Sequence, residues 1–499
     1  MKRLFSILLA LTLILSSFTM IGCGEEETTN SNVLRICNCE DYIDEELLDK
    51  FTEETGIQVE YSTFGTNENL YNELVINPNS YDLVVPSEYM IEKLAMEGRL
   101  NRLDLSKVPN YTANVSKYIN TRLGSVKVTV EDGKDKGNTY PLTDFMVGYM
   151  WGTMGWVYNT EFVTENQVSS WEGVFSDKDL SKKITIKDAV RDSYIVGLAM
   201  VYKDELEKAT STEEVTKILN RVDQESIDKV GEKLNSLKPM LYGFEVDSGK
   251  NDIVLGNIYA YVAWSGDAAY AIDVACGEVE DEDGKFVDEK NLRDLSYKIP
   301  EEGSNIWFDG MVMPAGSTNY DAVYKFMDFI SRPENVAENM DYIGYTSMVA
   351  GDTIYNDIVL DWFDESEDLE PGEGIEVDLS YFFGGENYTP GEYTVTVSNE
   401  SYGRLMAQYP EVEILEKCAI MQNFQPDTLL KINDMWEGVK GETFPIWLII
   451  LIAGLVVLLA LTIILYRNRE KIAWLKLPER KQTRLEKKGY KVIKKENEI

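Results

Sequence analysis

The sequence predicts an α/β domain built on a parallel sheet and held outside a membrane, between an N-terminal secretory signal and a C-terminal membrane-spanning helix. Three observations carry this. Strand-like and helix-like stretches alternate from residue 33 to residue 97, the order that produces a βαβαβ unit. Met1-Lys2-Arg3 gives a positive start to a short apolar run that closes on small residues, as a secretory signal does. Residues 444–466 contain no charged side chain and would span about 34 Å as a helix, enough to cross a bilayer.

The two ends follow from these observations. Residues 1–22 read as a signal peptide whose last part, Met20-Ile21-Gly22-Cys23, resembles a bacterial lipoprotein cleavage box. Cys23 is then the lipidated residue, and residues 23–32 form a polar tether. At the other end, Trp447 and Tyr466 suit the two membrane interfaces. The strongly basic residues 467–499 belong on the cytoplasmic side, so the bulk of the chain, residues 33–440, lies outside. Membrane lipid is therefore an expected partner.

Composition narrows the function classes. The chain has 499 residues, 86 acidic against 48 basic, and a net charge of -38 at pH 7. With the signal and tail basic, the outer domain is more acidic still, which excludes a general nucleic-acid binder. The chain has no histidine, so a His-based triad, a His-ligated zinc site and a facial iron triad are impossible. Of the five cysteines, Cys37 and Cys39 share a strand face while Cys276 and Cys418 are distant, without zinc spacing or a disulfide framework. No nucleophile–base constellation is visible, so the chain reads as a non-enzyme without metal or cofactor.

Along the chain, residues 33–39, 57–61 and 81–87 read as strands. Between and after them, residues 44–55, 68–75 and 91–97 read as helices. The continuous apolar centre of the third strand suits a buried parallel strand. Residues 124–143 suggest a hairpin, and residues 146–158 a strand that carries the chain to a second lobe. A helix is expected to start at residues 171–175. A short strand at 184–186 leads into a helix in which Asp188 and Asp192, four apart, would share a face. Residues 212–237 read as charged surface helix, 278–294 as a charged loop, 320–330 as an amphipathic helix and 412–437 as helical. Residues 365–393 are acidic and Gly-rich with little periodicity, and no role is assigned to them.

The chemistry concentrates at strand ends. In Ser304-Asn305-Ile306-Trp307-Phe308-Asp309-Gly310, side chains two apart share a face, so Trp307 and Asp309 would project together. An indole beside a carboxylate attracts an organic ammonium through both the ring face and the opposite charge. Trp264-Ser265-Gly266-Asp267 repeats the pairing after its own apolar strand. Asp41 and Tyr42 follow the first strand, and Ser87 and Tyr89 the third. For each of these alone, helix capping is the plainer role.

The ordered set Tyr81-Asp82-Leu83-Val84-Val85-Pro86-Ser87 with Tyr89, Val190-Arg191-Asp192, Trp264-Ser265-Gly266-Asp267, Ile306-Trp307-Phe308-Asp309 and Ile343-Gly344-Tyr345 resembles the spermidine/putrescine-binding proteins of bacterial polyamine ABC transporters. The resemblance covers residues 33–440 and implies a two-lobed type II periplasmic-binding-protein fold. It implies polyamine binding and delivery to ABC transporter permease subunits. It also implies a cleft formed by Asp41, Tyr42, Ser87, Tyr89, Asp192, Trp264, Asp267, Trp307, Asp309 and Tyr345, with carboxylates on the terminal ammonium groups and rings along the methylene chain. Cys39 stands where that family usually places Trp, and Glu40 where it places Ser or Thr. The single span and basic tail also admit a ligand-sensing membrane receptor, and the fold admits another small solute. An amino-acid ligand would need an arginine, for which Arg191 is the candidate.

Overall fold

The computed structural model describes residues 32–277, 284–370, 372–441 and 477–488. The signal with Cys23, the apolar stretch 444–466 and part of the charged segment 278–294 lie outside the described residues. Among the described residues no helix is long and apolar enough to cross a membrane. The chain up to Trp436 forms one compact unit, and a second begins at Glu437. Within the second, the described part of the basic tail includes the helix Glu479–Glu486.

The opening is the expected βαβαβ unit. β1 (Val33–Cys39) pairs in parallel with both β2 (Gln58–Phe64) and β3 (Leu83–Val84). The helices between them, Glu45–Thr55 and Asn67–Ile76, start on Asp44 and Thr66, whose side chains accept first-turn amide hydrogens. β3 is shorter than residues 81–87 suggest. Pro86 has no N–H to give a ladder, and Ser87 already leads into the helix Glu88–Met96. The expected hairpin is present as β4 (Lys127–Thr129) against β5 (Thr139–Pro141).

β6 (Met146–Asn159), buried along its whole length, organises the rest. It is followed by β7 (Ile184–Lys187), β8 (Leu241–Glu245), β9 (Ala260–Trp264), β10 (Leu295–Lys298) and β11 (Ser304–Val312). The half of β6 up to Thr153 pairs antiparallel with β11, and the half from Met154 with β9 and β10. One lobe therefore carries the strand order β2-β1-β3-β11-β6 and the other β6-β9-β7-β8, so β6 belongs to both sheets. β7 runs parallel to β8 and β9, which places the C-terminal ends of all three side by side. Beyond these lie β12 (Thr346–Ser347) on β6, the hairpin β13 (Ile375–Asp378) with β14 (Thr394–Val397), and β15 (Cys418–Ala419) on β11. This is the two-lobed α/β architecture the sequence suggests.

Three local readings need correction. Residues 173–176 form a tight 3-10 turn instead of opening an α-helix. The helix after β7 is Val190–Val201, so Asp188 lies before it, its N–H donating to the Glu245 carbonyl, and shares no helix face with Asp192. Residues 412–437 are not one helix: Cys418 and Ala419 extend to pair with Ser304 and Asn305, and helix resumes only at Pro426. Sheet pairing overrides helical propensity there. Within residues 365–393, to which no role is assigned, the short helix Ser380–Phe383 stacks Phe382 on Trp151 of β6, ring centroids 5.4 Å apart.

Candidate functional site

β6 brings the two Trp/Asp motifs together. Trp307 sits opposite Gly152 and Trp264 opposite Met154, so both motifs border the point where β6 passes from one lobe to the other. A β-carbon on Gly152 would overlap both the Trp307 ring and the Ser265 hydroxyl, so glycine there permits the close approach. The Trp307 indole N–H donates to the Thr153 carbonyl at 3.1 Å, which fixes the ring.

From the first lobe comes Asp309. The β11–β6 register shifts between Phe308 and Gly310, and the Asp309 backbone bridges to Ser87 instead. This bulge interrupts the simple alternation expected of Trp307 and Asp309. The Tyr42 hydroxyl donates to the Asp309 carboxylate at 2.8 Å. Burial lifts the Asp309 carboxyl to about 6, opposed by hydrogen bonds from Ser87 and Tyr42. Beside it, Glu88 accepts the Phe308 N–H at 2.9 Å. Burial, reinforced by the Asp309 charge, raises the Glu88 carboxyl to about 8 against that backbone hydrogen bond, and its other oxygen has no hydrogen-bond partner among the described residues.

The second lobe presents Asp267 in the first turn of the helix Ser265–Cys276. The Tyr345 hydroxyl donates to Asp267 at 2.8 Å. The Tyr345 ring lies edge-on to Tyr42 at 5.1 Å and tilted to Trp307 at 6.0 Å. A continuous series of contacts therefore runs from Asp309 through Tyr42 and Tyr345 to Asp267. Trp264 donates its indole N–H to Asp192, whose carboxyl is raised to about 6 chiefly by burial, against the field of Lys187. Lys187, at the end of β7 and 1% exposed, lies 4.0 Å from the Trp264 ring centroid and 3.4 Å from the Asp267 carboxylate.

Eight of the ten cleft residues expected from the sequence thus meet: Tyr42, Ser87, Asp192, Trp264, Asp267, Trp307, Asp309 and Tyr345. Tyr89 borders them, its hydroxyl on Glu68 at 3.1 Å and its ring under the Arg191 guanidinium at 4.8 Å. Asp41 does not join them: it is exposed, in a left-handed turn with φ 49 between β1 and the first helix. Arg191 lies between the rings of Tyr89 and Phe424 and donates to the Gln422 carbonyl at 2.6 Å, so its guanidinium is engaged within the protein. Sequence reasoning missed Glu88, Glu245 and Lys187. Glu88 was hidden by its place in a helix start, where a carboxylate ordinarily serves the dipole. For Lys187 and Glu245 a signal existed, since each ends a strand of a parallel sheet.

Shared strands joining two α/β lobes, with rings and carboxylates from both meeting at the crossing, define the class of two-lobed solute-binding proteins. Residues 46–351 match the bacterial extracellular solute-binding protein family, and the chain belongs to it. It is 29% identical over 353 residues to the putrescine-binding periplasmic protein SpuD of Pseudomonas aeruginosa, an alignment covering 69% of this chain and 84% of that relative. The spermidine/putrescine-binding periplasmic protein of Salmonella typhimurium is 25% identical over 327 residues, covering 65% of this chain and 80% of its own length. Among solved structures, the spermidine/putrescine ABC transporter substrate-binding protein PotD of Streptococcus pneumoniae, in complex with calcium and HEPES, superposes with a TM-score of 0.55. It is 28% identical and covers 82% of this chain and 98% of that one. All three carry the name of a binding protein.

Proposed function

We propose that the domain binds a polyamine of the putrescine/spermidine type in the cleft between its lobes and delivers it to an ABC transporter permease. One observation carries this reading: Asp309 and Asp267, on different lobes, are linked by the rings of Tyr42 and Tyr345, with Trp307 and Trp264 alongside. Carboxylates at the two ends and aromatic faces between them match an aliphatic chain bearing ammonium charge. The names of the relatives support the same chemistry. Ser87 and Asp192 would assist the two carboxylate ends, and Tyr89 the rim. Lipidation of Cys23 and insertion of residues 444–466 would hold the domain at the outer face of the membrane, with residues 467–499 inside.

The energetics require the contacts to act together. Micromolar affinity takes about 8 kcal/mol. A charge-assisted hydrogen bond supplies about 1.5–3 kcal/mol and a cation–π contact about 0.5–2. Two carboxylates and two rings reach the total only when both lobes engage one ligand. Isothermal titration of the full chain in detergent with putrescine, spermidine and spermine, free and mono-N-acetylated, tests the reading. Saturable heat is expected, and no heat with any of these amines removes it.

A further inference from the structure

Lys187 already makes the contacts that a bound ammonium would seek in the second lobe. Its amine lies over the Trp264 ring at 4.0 Å, 3.4 Å from Asp267 and 3.9 Å from Glu245, and donates to the Val246 carbonyl at 2.6 Å. These partners stand at the C-terminal ends of β7, β8 and β9 and in the turns that follow, and the lysine is 1% exposed. Such burial of a lysine is tolerated only when the charge is paired and its donors are satisfied. Here an indole face, two carboxylates and a carbonyl do both. The first-lobe end is built differently. Among the described residues, Asp309 receives the neutral hydroxyls of Tyr42 and Ser87 and no cation, and Glu88 beside it keeps one oxygen without a hydrogen-bond partner.

We propose that Lys187 is a built-in ammonium filling the second-lobe cation subsite, so that the cleft prefers an amine with one cationic end and a neutral far end, such as a mono-N-acylated diamine, over the free diamine. The inference rests on the polyamine reading and sharpens it. The cationic end docks at Asp309 and Glu88, against Tyr42. The neutral end lies toward Tyr345 and Trp264, where a second ammonium would face the Lys187 charge at close range and compete for Asp267. A capping amide there carries no charge to be repelled by the Lys187 amine and leaves its existing contacts undisturbed.

Titration of the full chain in detergent, near neutral pH, with putrescine and with N-acetylputrescine tests this. The wild type should bind N-acetylputrescine at least about tenfold more tightly, and Lys187→Met should reverse the order by strengthening putrescine binding. Equal or tighter putrescine binding by the wild type overturns the proposal, whether or not the variant folds. So does a Lys187→Met protein that folds and keeps the wild-type preference. In either case putrescine binding itself leaves the polyamine reading standing. Silence from both ligands, and from the other amines above, removes that reading and this proposal with it.

Discussion

Asp309 concentrates the residue-scale chemistry. Asp309→Asn keeps the size of the side chain but deletes the charge that would meet an ammonium. Affinity for the preferred amine should fall by about tenfold to a hundredfold by calorimetry, the range of one charge-assisted hydrogen bond. Unchanged affinity would take Asp309 out of the site. Protonation adds a second test at the same scale. Glu88 at about 8, and Asp309 and Asp192 at about 6, retain protons in the folded protein that the unfolded chain has already released. Their contribution to stability is complete only below the ordinary carboxylate values of 4.5 and 3.8, declines above them, and is gone once pH has risen through 6 for the aspartates and then 8 for Glu88. Without ligand, the melting temperature should therefore drop between about pH 5 and about pH 8.5, and Glu88→Gln should flatten the upper part of that slope. A melting temperature that climbs over this range contradicts the assignment. If Asp309 and Asp192 hold the ligand as proposed, amine affinity should run the other way, strengthening as they ionise.

At the scale of elements, the second motif is packed so closely that its backbone sets the geometry. Gly266, in the first turn of the helix Ser265–Cys276, lies where a β-carbon would overlap the Tyr345 ring. Gly266→Ala should push Tyr345 off Asp267, weaken amine binding about tenfold and lower stability by about 1–3 kcal/mol, measured by titration and by urea unfolding. Full affinity in that variant would show that the Tyr345–Asp267 contact is dispensable. The same elements show what the sequence could and could not reveal. β6, the β4–β5 hairpin and the helix Tyr320–Ile330 were legible because each carries a sustained pattern or plain turn signals. Residues 418–419 were not, because a two-residue pairing with a distant strand leaves no periodicity to read. The meeting of the two Trp/Asp motifs was legible from Trp264, Asp267, Trp307 and Asp309, whose types announce cation chemistry. Lys187 escaped because a lysine among carboxylates and indole rings reads from sequence as a surface charge, and Asp41 misled because its turn carries it outward.

For the whole molecule, the two lobes share β6, and the groups proposed to hold the ligand come from both. A ligand that touches both lobes binds only the folded, closed arrangement and stabilises it by mass action. At a free concentration of about 100 times Kd the gain is about 2.7 kcal/mol, which should raise the melting temperature by about 3–6 °C. A ligand that binds by calorimetry yet leaves the melting temperature unmoved would have to bind the unfolded chain equally well, which contradicts a site assembled from both lobes.

The first strand, β1, belongs to the sheet of one lobe, while Trp436, where the compact unit ends, packs its ring on Phe244 of β8 in the other, centroids 5.2 Å apart. If Cys23 and residues 444–466 both anchor in the bilayer, as proposed, each half of the clamp hangs from its own leash. A rearrangement of the two halves around cargo would then alter the spacing between two attachment points, a mechanical signal that a receptor tethered through a single terminus could not transmit.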